Sequence, residues 1–142
     1  IPTIIDPAKR SIQKYSNSTI IKLNKEELQY FSNISIINND DLFIGVQYLL
    51  EKTKCQIVIV TCSEKGIFYL SQKGKSHFIK NEIQETAHVI GSGDTVTAYT
   101  AYCLLHNLDE KRFLQILSIA GELSVKEFGT SHIMLNDILT KI

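Results

Sequence analysis

The sequence predicts an α/β fold: a layered α/β/α domain with a mostly parallel sheet and one hairpin. Short β-branched runs typical of buried strands alternate with segments whose apolar residues recur at helical spacing. Two further apolar runs, separated by Lys73-Gly74, have the spacing of a β-hairpin. With 142 residues and no internal linker, the chain is predicted to form a single domain, 1–142.

The strands are predicted from runs of β-branched and aromatic residues bounded by turn residues. They are placed at 3–5, 19–23, 56–61, 67–70 and 76–79, and the segment 83–90 is either a further strand or an extended approach to residues 91–94. The run 56–61 is almost unbroken in β-branched residues, which is typical of a strand buried on both faces.

The helices are predicted from apolar residues at helical spacing. They are placed at 9–15, 24–30, 40 or 41 to about 50, 95–106, 109 to Gly129, and 134–142. The segment 95–106 is apolar almost all round, so we expect a helix buried on every side. The other two long helices each carry one apolar face, formed by Leu42, Phe43, Val46, Leu49 and Leu50 and by Phe113, Ile116, Leu117, Ala120 and Leu123.

The composition of the chain limits the kinds of molecule that it is expected to bind. Lys plus Arg and Asp plus Glu balance at 15 each, so no overall charge favours nucleic acid or an anionic membrane. No apolar run approaches the length of a membrane span. The cysteines Cys55, Cys62 and Cys103 lack metal-binding spacing and fit reduced thiols. We therefore expect a cytoplasmic protein with neither a nucleic-acid nor a membrane partner.

A glycine loop, Gly91-Ser92-Gly93-Asp94, stands directly before the apolar helix. The unpaired N–H groups of a first helical turn favour a bound anion. Asp94 has two interpretations. It could simply stabilise the helix through the dipole, or it could accept a proton from an attacking hydroxyl while the loop amides hold a transferred phosphoryl group.

Two more segments follow predicted strands and also have two interpretations. Asn24 and Glu27 match a helix capping box, but an amide and a carboxylate at a strand's end could also position hydrated magnesium near phosphates. The turn from Thr61 to Gly66 is either a plain entry to the hairpin or a contact for nucleotide phosphate.

Together these segments resemble the carboxyl-terminal half of the ribokinase-like (PfkB) family of carbohydrate kinases. The family signature D-[TV]-[TS]-G-[AG]-G-D ends in a match at residues 91–94. Its N-x-x-E motif matches Asn24 and Glu27, and its T-x-x-x-x-G turn matches Thr61 and Gly66. The order and spacing of these motifs cover essentially the whole chain.

Within the family, the chain is most similar to heptose 7-phosphate kinases, the kinase part of ADP-heptose synthase in lipopolysaccharide precursor synthesis. That branch's D-P-K…Y…L-x-P-N pattern resembles Asp6-Pro7-Ala8-Lys9, Tyr15 and Ile21-Lys22-Leu23-Asn24. Its T-R-S-E-x-G and L-G-T motifs resemble 61–66 and 128–130.

The resemblance implies an ATP- and Mg²⁺-dependent sugar kinase. It implies Asp94 as catalytic base, the amides of Gly91, Ser92 and Gly93 as anion hole, and Glu27 as a magnesium contact through water. It also implies a set of nucleotide-binding residues, Asn24, Thr61, Ser63, Gly66, Ser118, Gly121 and Gly129.

Departures from the family pattern support an alternative function for the chain. His88 and Ile90 replace signature residues in a region that often holds a monovalent cation, which argues against potassium activation. With Glu122 near the expected nucleotide, they also motivate a non-catalytic nucleotide-binding or interaction module. The family's amino-terminal half, with the lid and most sugar contacts, is expected to be missing from this chain, which alone should be inactive. The complete parent could be a homodimer.

Overall fold

The computed structural model describes residues 1–80 and 92–126, together with Asn136 and Thr140. Within α4 it does not describe the side chains of 122–126, nor elsewhere those of Glu64 and Ser92. The chain divides into two compact units. Unit 1 is Ile1–Cys62 with Phe68–Phe78, and unit 2 is Ser63–Ile67 with Ile79–Ile142. The predicted strand at 83–90 and the predicted helix at 134–142 fall outside the described ranges, apart from the two isolated residues.

The sheet has five strands in the order β1-β2-β3-β4-β5. They are β1 (Ile4–Ile5), β2 (Ile20–Asn24), β3 (Ile57–Thr61), β4 (Gly66–Ser71) and β5 (Ser76–Lys80). The first three run parallel. The chain then reverses between β4 and β5, where Ser71 N donates to Lys75 O at 3.2 Å. Every strand predicted within the described ranges is present, and the sheet is mixed, with its parallel part and its hairpin as expected.

The core of unit 1 lies between one face of the sheet and two helices, α1 (Lys25–Ser32) and α2 (Asn39–Thr53). Alternation along the strands directs Ile21 and Leu23 of β2 into this core. Burying each such side chain contributes about 1.5–3 kcal/mol. The other main contributors are Val58, Val60, Leu28, Phe31, Leu42, Val46, Leu49 and Leu50.

Helix α2 begins earlier than the sequence predicts, because Asn38 caps it. Asn38 Oδ1 accepts from Asp41 N at 2.9 Å, and Asp41 Oδ2 accepts from Asn38 N at 3.1 Å. The two aspartates therefore lie inside the first turn. Placing Phe43 on the buried face was wrong: it lies at the rim of that face and is 39% exposed.

Unit 2 contains two helices that pack against each other, α3 (Ser92–Leu105) and α4 (Glu110–Lys126). Asp109 caps α4 as its position predicts, since its Oδ1 accepts from Arg112 N at 2.9 Å. The predicted apolar face of α4 is buried at Phe113, Ile116, Leu117 and Ala120. The side chain of Leu123 is outside the described set.

The prediction that α3 is buried on every side is wrong for this chain. The buried face is narrower and consists of Val96, Tyr99, Thr100 and Cys103. Leu105 is 75% exposed, and Ala98 is exposed as well. Thr100 is accommodated in the buried face because its hydroxyl donates to Val96 O at 2.7 Å. No helix in the described residues is long and apolar enough to cross a membrane.

Candidate functional site

Two predicted site residues lie side by side at the carboxyl end of the parallel strands. Asn24 ends β2 and Thr61 ends β3, and the two are partners in the strand register. Asn24 is exposed and Thr61 is half-buried. Ligands of open α/β sheets bind outside the carboxyl ends of their strands. The structure therefore brings these two residues together at an edge suited to a ligand.

Asn24 and Glu27 form a complete capping box at the start of α1. Asn24 Oδ1 accepts from Glu27 N at 2.8 Å, and Glu27 Oε2 accepts from Asn24 N at 2.8 Å. This confirms the structural interpretation of the motif. Two polar groups of the motif remain for a ligand, because Glu27 Oε1 and the amide NH₂ of Asn24 make no hydrogen bond to other described residues.

Magnesium fits this motif only as a hydrated ion. Nowhere in the described ranges do three or more His, Cys, Asp or Glu side chains form a potential metal cluster. Mg²⁺ usually keeps several waters and relies on one or two carboxylates together with substrate phosphates. A carboxylate oxygen of Glu27 that makes no hydrogen bond to other described residues fits a contact through water, which remains a prediction.

Replacing Asn24 should separate capping from ligand binding. We expect Asn24→Ala to lower the free energy of unfolding by about 1 kcal/mol, because Glu27 N loses its acceptor. Asn24→Ser keeps a capping oxygen but removes the amide, so it should keep the stability and lose nucleotide affinity. Urea denaturation and nucleotide titration of both variants would measure the two effects. Wild-type stability in Asn24→Ala would contradict the capping role.

Gly66 has a structural reason to be glycine. Its φ is +128°, and a Cβ atom there would lie 1.9 Å from the Ile79 carbonyl oxygen. Ser63, which opens the short 3₁₀ turn before β4, is exposed with φ of +52°. The geometry of Gly66 favours the hairpin-entry interpretation of this turn, while a nucleotide contact from Ser63 stays a prediction.

Asp94 lies in the first turn of α3 and is exposed. Its carboxylate has no hydrogen bond or ion pair within the part of the chain that the structure describes. The backbone N–H groups of Ser92, Gly93 and Asp94 belong to the first helical turn, which lacks carbonyl partners within the helix. Gly91 lies outside the described residues. An acid that has no partner among the described residues thus stands beside N–H groups that suit an anion.

The structure describes only some of the remaining predicted positions. Ser118 is half-buried on α4, and Gly121, one turn on, is buried. Gly129, His88 and Ile90 lie outside the described residues. The side chain of Glu122 is not described either.

Unit 1 contains an ion pair between a buried lysine and an exposed aspartate, to which the sequence predictions assign no role. Lys22 Nζ lies 2.8 Å from Asp6 Oδ2, and the two side chains are 6% and 43% exposed. The signal was a single lysine in the apolar run 20–23, and an aspartate directly after the preceding strand. Parallel pairing of Ile5 with Ile21 brings Asp6 beside Lys22.

Two buried cysteines are poor nucleophiles. Burial raises the pKa of the Cys103 thiol to about 12 and raises that of Cys55 above its usual value. Both stay protonated near neutral pH, and only the thiolate is nucleophilic. Thiol chemistry is therefore a weak candidate at these two positions.

Comparison with known sequences identifies related proteins. Residues 1–137 match the model of the pfkB family carbohydrate kinase. The bifunctional protein HldE of Campylobacter concisus is 30% identical over 138 residues, covering 97% of this chain and 29% of the relative. HldE of Geotalea uraniireducens is 28% identical over 142 residues, covering 100% and 29%. The chain thus spans 29% of the length of these curated relatives.

Solved structures share the fold. Arabidopsis thaliana ribokinase complexed with ribose and ATP superposes with a TM-score of 0.78 at 19% identity, covering 91% of this chain and 43% of that one. Escherichia coli phosphofructokinase-2, in complex with substrates and products, gives 0.81 at 16% identity, covering 98% and 46%. These likenesses confirm the predicted ribokinase-like fold.

Proposed function

Because the chain belongs to the pfkB family of carbohydrate kinases, we propose that it forms the nucleotide-binding and catalytic half of an ATP-dependent sugar kinase. The observation that supports this most is the exposed carboxylate of Asp94 in the first turn of α3, which has no partner among the described residues. A base that must meet a substrate hydroxyl needs both accessibility and a free oxygen. The polar edge formed by Asn24 and Thr61 is the second support.

In the proposed reaction, Asp94 accepts the proton of a sugar hydroxyl. The hydroxyl oxygen bonds to the γ-phosphorus, the bond to the β–γ bridging oxygen breaks, and ADP leaves with that electron pair. Charge spreads over the transferred phosphoryl oxygens in a loose transition state. The first-turn N–H groups of α3, including that of Gly93, would stabilise such charge. Gly91 is proposed to extend the same anion hole.

The nucleotide is proposed to lie along the carboxyl end of the parallel strands. The amide NH₂ of Asn24 can donate to a phosphate oxygen, and the Thr61 hydroxyl can donate or accept. Glu27 would hold a hydrated Mg²⁺ through Oε1, the oxygen that the capping box does not use, and the ion would neutralise phosphate charge. Ser63, Ser118, Gly121 and Gly129 complete the proposed nucleotide contacts.

The proposed substrate is heptose 7-phosphate or a related sugar. The support is the similarity of 25–30% to HldE proteins and the motif at Asp6-Pro7-Ala8-Lys9. Because the chain covers less than half of the E. coli phosphofructokinase-2 chain, we place most sugar contacts in polypeptide equivalent to the uncovered part. A cytoplasmic location belongs to the same proposal.

A non-catalytic nucleotide-binding module is the second candidate, and it is favoured by His88 and Ile90 at signature positions. Nucleotide binding without turnover in a complete kinase that carries this chain would support it. Turnover that depends on Asp94 would support the kinase instead.

Nucleotide binding should be measurable as thermal stabilisation of the chain. We expect ATP with magnesium to raise the melting temperature, since a ligand at 100 times its Kd adds about 2.7 kcal/mol to the free energy of unfolding. Differential scanning fluorimetry with ATP, with ATP in EDTA, and with ribose alone would measure the shift. No shift at millimolar ATP with magnesium would contradict the proposed nucleotide site.

A further inference from the structure

A groove in unit 1 lies between α2 and the hairpin that joins β4 to β5. Its volume is about 350 Å³, which falls within the range of small-molecule sites in proteins, roughly 300–1,000 Å³. All the residues that line it belong to unit 1, so the groove is a feature of that unit alone. The lining residues that bear on its chemistry are Phe43, Leu50, Glu51, Lys54 and Leu70.

The groove lies at the edge of the sheet opposite to the proposed nucleotide site. Gln72 lines it directly after β4, and its N–H donates to the carbonyl of Gln56, directly before β3, at 2.8 Å. Thr61 of the proposed nucleotide edge ends the same β3 strand. Five strand residues span a distance on the order of 15 Å. A small molecule in the groove would therefore not contact the nucleotide.

Part of the groove is apolar. Leu50 and Leu70 are 7% and 2% exposed and belong to the core of unit 1, so the groove meets the outer surface of that core. Phe43 lies at its rim and leaves 39% of its surface exposed. A ligand that covers this surface removes apolar area from water, which favours binding. The groove therefore suits a ligand with an apolar body, and an aromatic ring can also pack against the ring of Phe43.

Two opposite charges line the same groove. Glu51 and Lys54 are exposed and stand three residues apart at the end of α2. Opposite charges at this spacing in a helix are neighbours and often pair. Lys54, however, is the C-cap of α2 with φ of +55°, and neither side chain forms an ion pair with a described residue.

This arrangement of charge disfavours a ligand of a single sign. The carboxylate of Glu51 and the partial negative charge at the end of α2 oppose an anion, and the ammonium of Lys54 opposes a cation. A molecule that carries both an ammonium and a carboxylate complements the two side chains. The charges and the apolar surface together therefore select a zwitterion with an apolar side chain.

We propose that the groove binds a small zwitterion of the class of the aromatic and large aliphatic amino acids. Its ammonium contacts Glu51, its carboxylate contacts Lys54, and its side chain packs on Phe43, Leu50 and Leu70. This site goes beyond the proposed kinase function and does not depend on it. A Kd on the order of 1 mM is expected, because the ligand is small and exposed charge pairs contribute little.

The test is a nuclear magnetic resonance titration of the isotope-labelled chain with L-phenylalanine. Saturable amide shifts are expected around Phe43, Lys54 and Gln72. Hydrocinnamate lacks the ammonium and phenethylamine lacks the carboxylate, so each should bind about two- to fivefold more weakly. Glycine, which lacks the apolar side chain, should give no saturable shift. ATP with magnesium should leave the Kd of phenylalanine unchanged, because the two sites lie at opposite edges of the sheet.

Matched variants identify the contact of each charge. Lys54→Met should weaken phenylalanine and hydrocinnamate but not phenethylamine, whereas Glu51→Gln should weaken phenylalanine and phenethylamine but not hydrocinnamate. Phe43→Ala should weaken all three. Lys52→Met and Glu26→Gln make the same charge changes at exposed positions outside the groove and should bind as wild type.

The opposing outcomes are distinct. Absence of a saturable shift with phenylalanine would overturn the site, and so would shifts centred on Asn24 and Thr61. Equal effects of Lys54→Met and Glu51→Gln on all three probes would overturn the recognition of a zwitterion. Failure of the chain to bind ATP would overturn the proposed function and leave this inference in place.

Discussion

Asp94→Asn is expected to remove nearly all phosphoryl transfer from a complete kinase that carries this chain. The amide cannot accept the proton of the sugar hydroxyl, and general base catalysis contributes a factor on the order of 10²–10⁴. Since Asp94 is exposed and has no partner among the described residues, the substitution should leave the stability of α3 nearly unchanged. The measurement is kcat, in a coupled assay of ADP release.

The controls isolate the role of the carboxylate. ATP affinity should be retained in Asp94→Asn, because the first-turn N–H groups of α3 remain. Asp40→Asn makes the same change at another exposed position in a first helical turn, that of α2, and should have wild-type kcat. If Asp94→Asn keeps more than about a tenth of the wild-type kcat, Asp94 is not the general base, because loss of that base should lower kcat by a factor on the order of 10²–10⁴.

The local structure of unit 1 was predictable because each element depends on neighbouring residues. The β-branched run at 57–61 permits little but a strand, and Asn24 with Glu27 forms the predicted reciprocal cap. Features that depend on long-range packing were harder to predict from the sequence. Phe43 is a rim residue because of the way α2 packs on the sheet, and a helical period alone does not distinguish rim from centre.

The candidate site was predictable to a similar extent. The meeting of Asn24 with Thr61 follows from the rule that parallel strands share a carboxyl edge. The pair of Lys22 with Asp6 needed the register, which the sequence does not specify. The exposed end of α3 at Leu105 was missed because an apolar composition indicates only a tendency to be buried, not which surface covers each residue.

Gly66→Ala is expected to destabilise the protein strongly. The reason is backbone strain and a steric overlap, and it does not involve nucleotide binding. A side chain at φ of +128° carries strain of about 1–3 kcal/mol. The new Cβ would also lie 1.9 Å from the Ile79 carbonyl oxygen, and relieving such an overlap costs a further amount of about 1–3 kcal/mol. Because Gly66 begins β4 and Ile79 belongs to β5, the hairpin must shift at this end.

A second glycine separates the two contributions. Gly74 in the hairpin turn has φ of +77°, but a Cβ there meets nothing within 4 Å. Gly74→Ala therefore carries the backbone strain without the overlap, and its loss in free energy of unfolding, measured by urea denaturation, should be smaller than that of Gly66→Ala by about 1–3 kcal/mol. Equal losses for the two variants would mean that the Ile79 carbonyl moves aside at little cost. The overlap would then not explain why residue 66 is a glycine, and the case for a nucleotide contact as the explanation would become stronger.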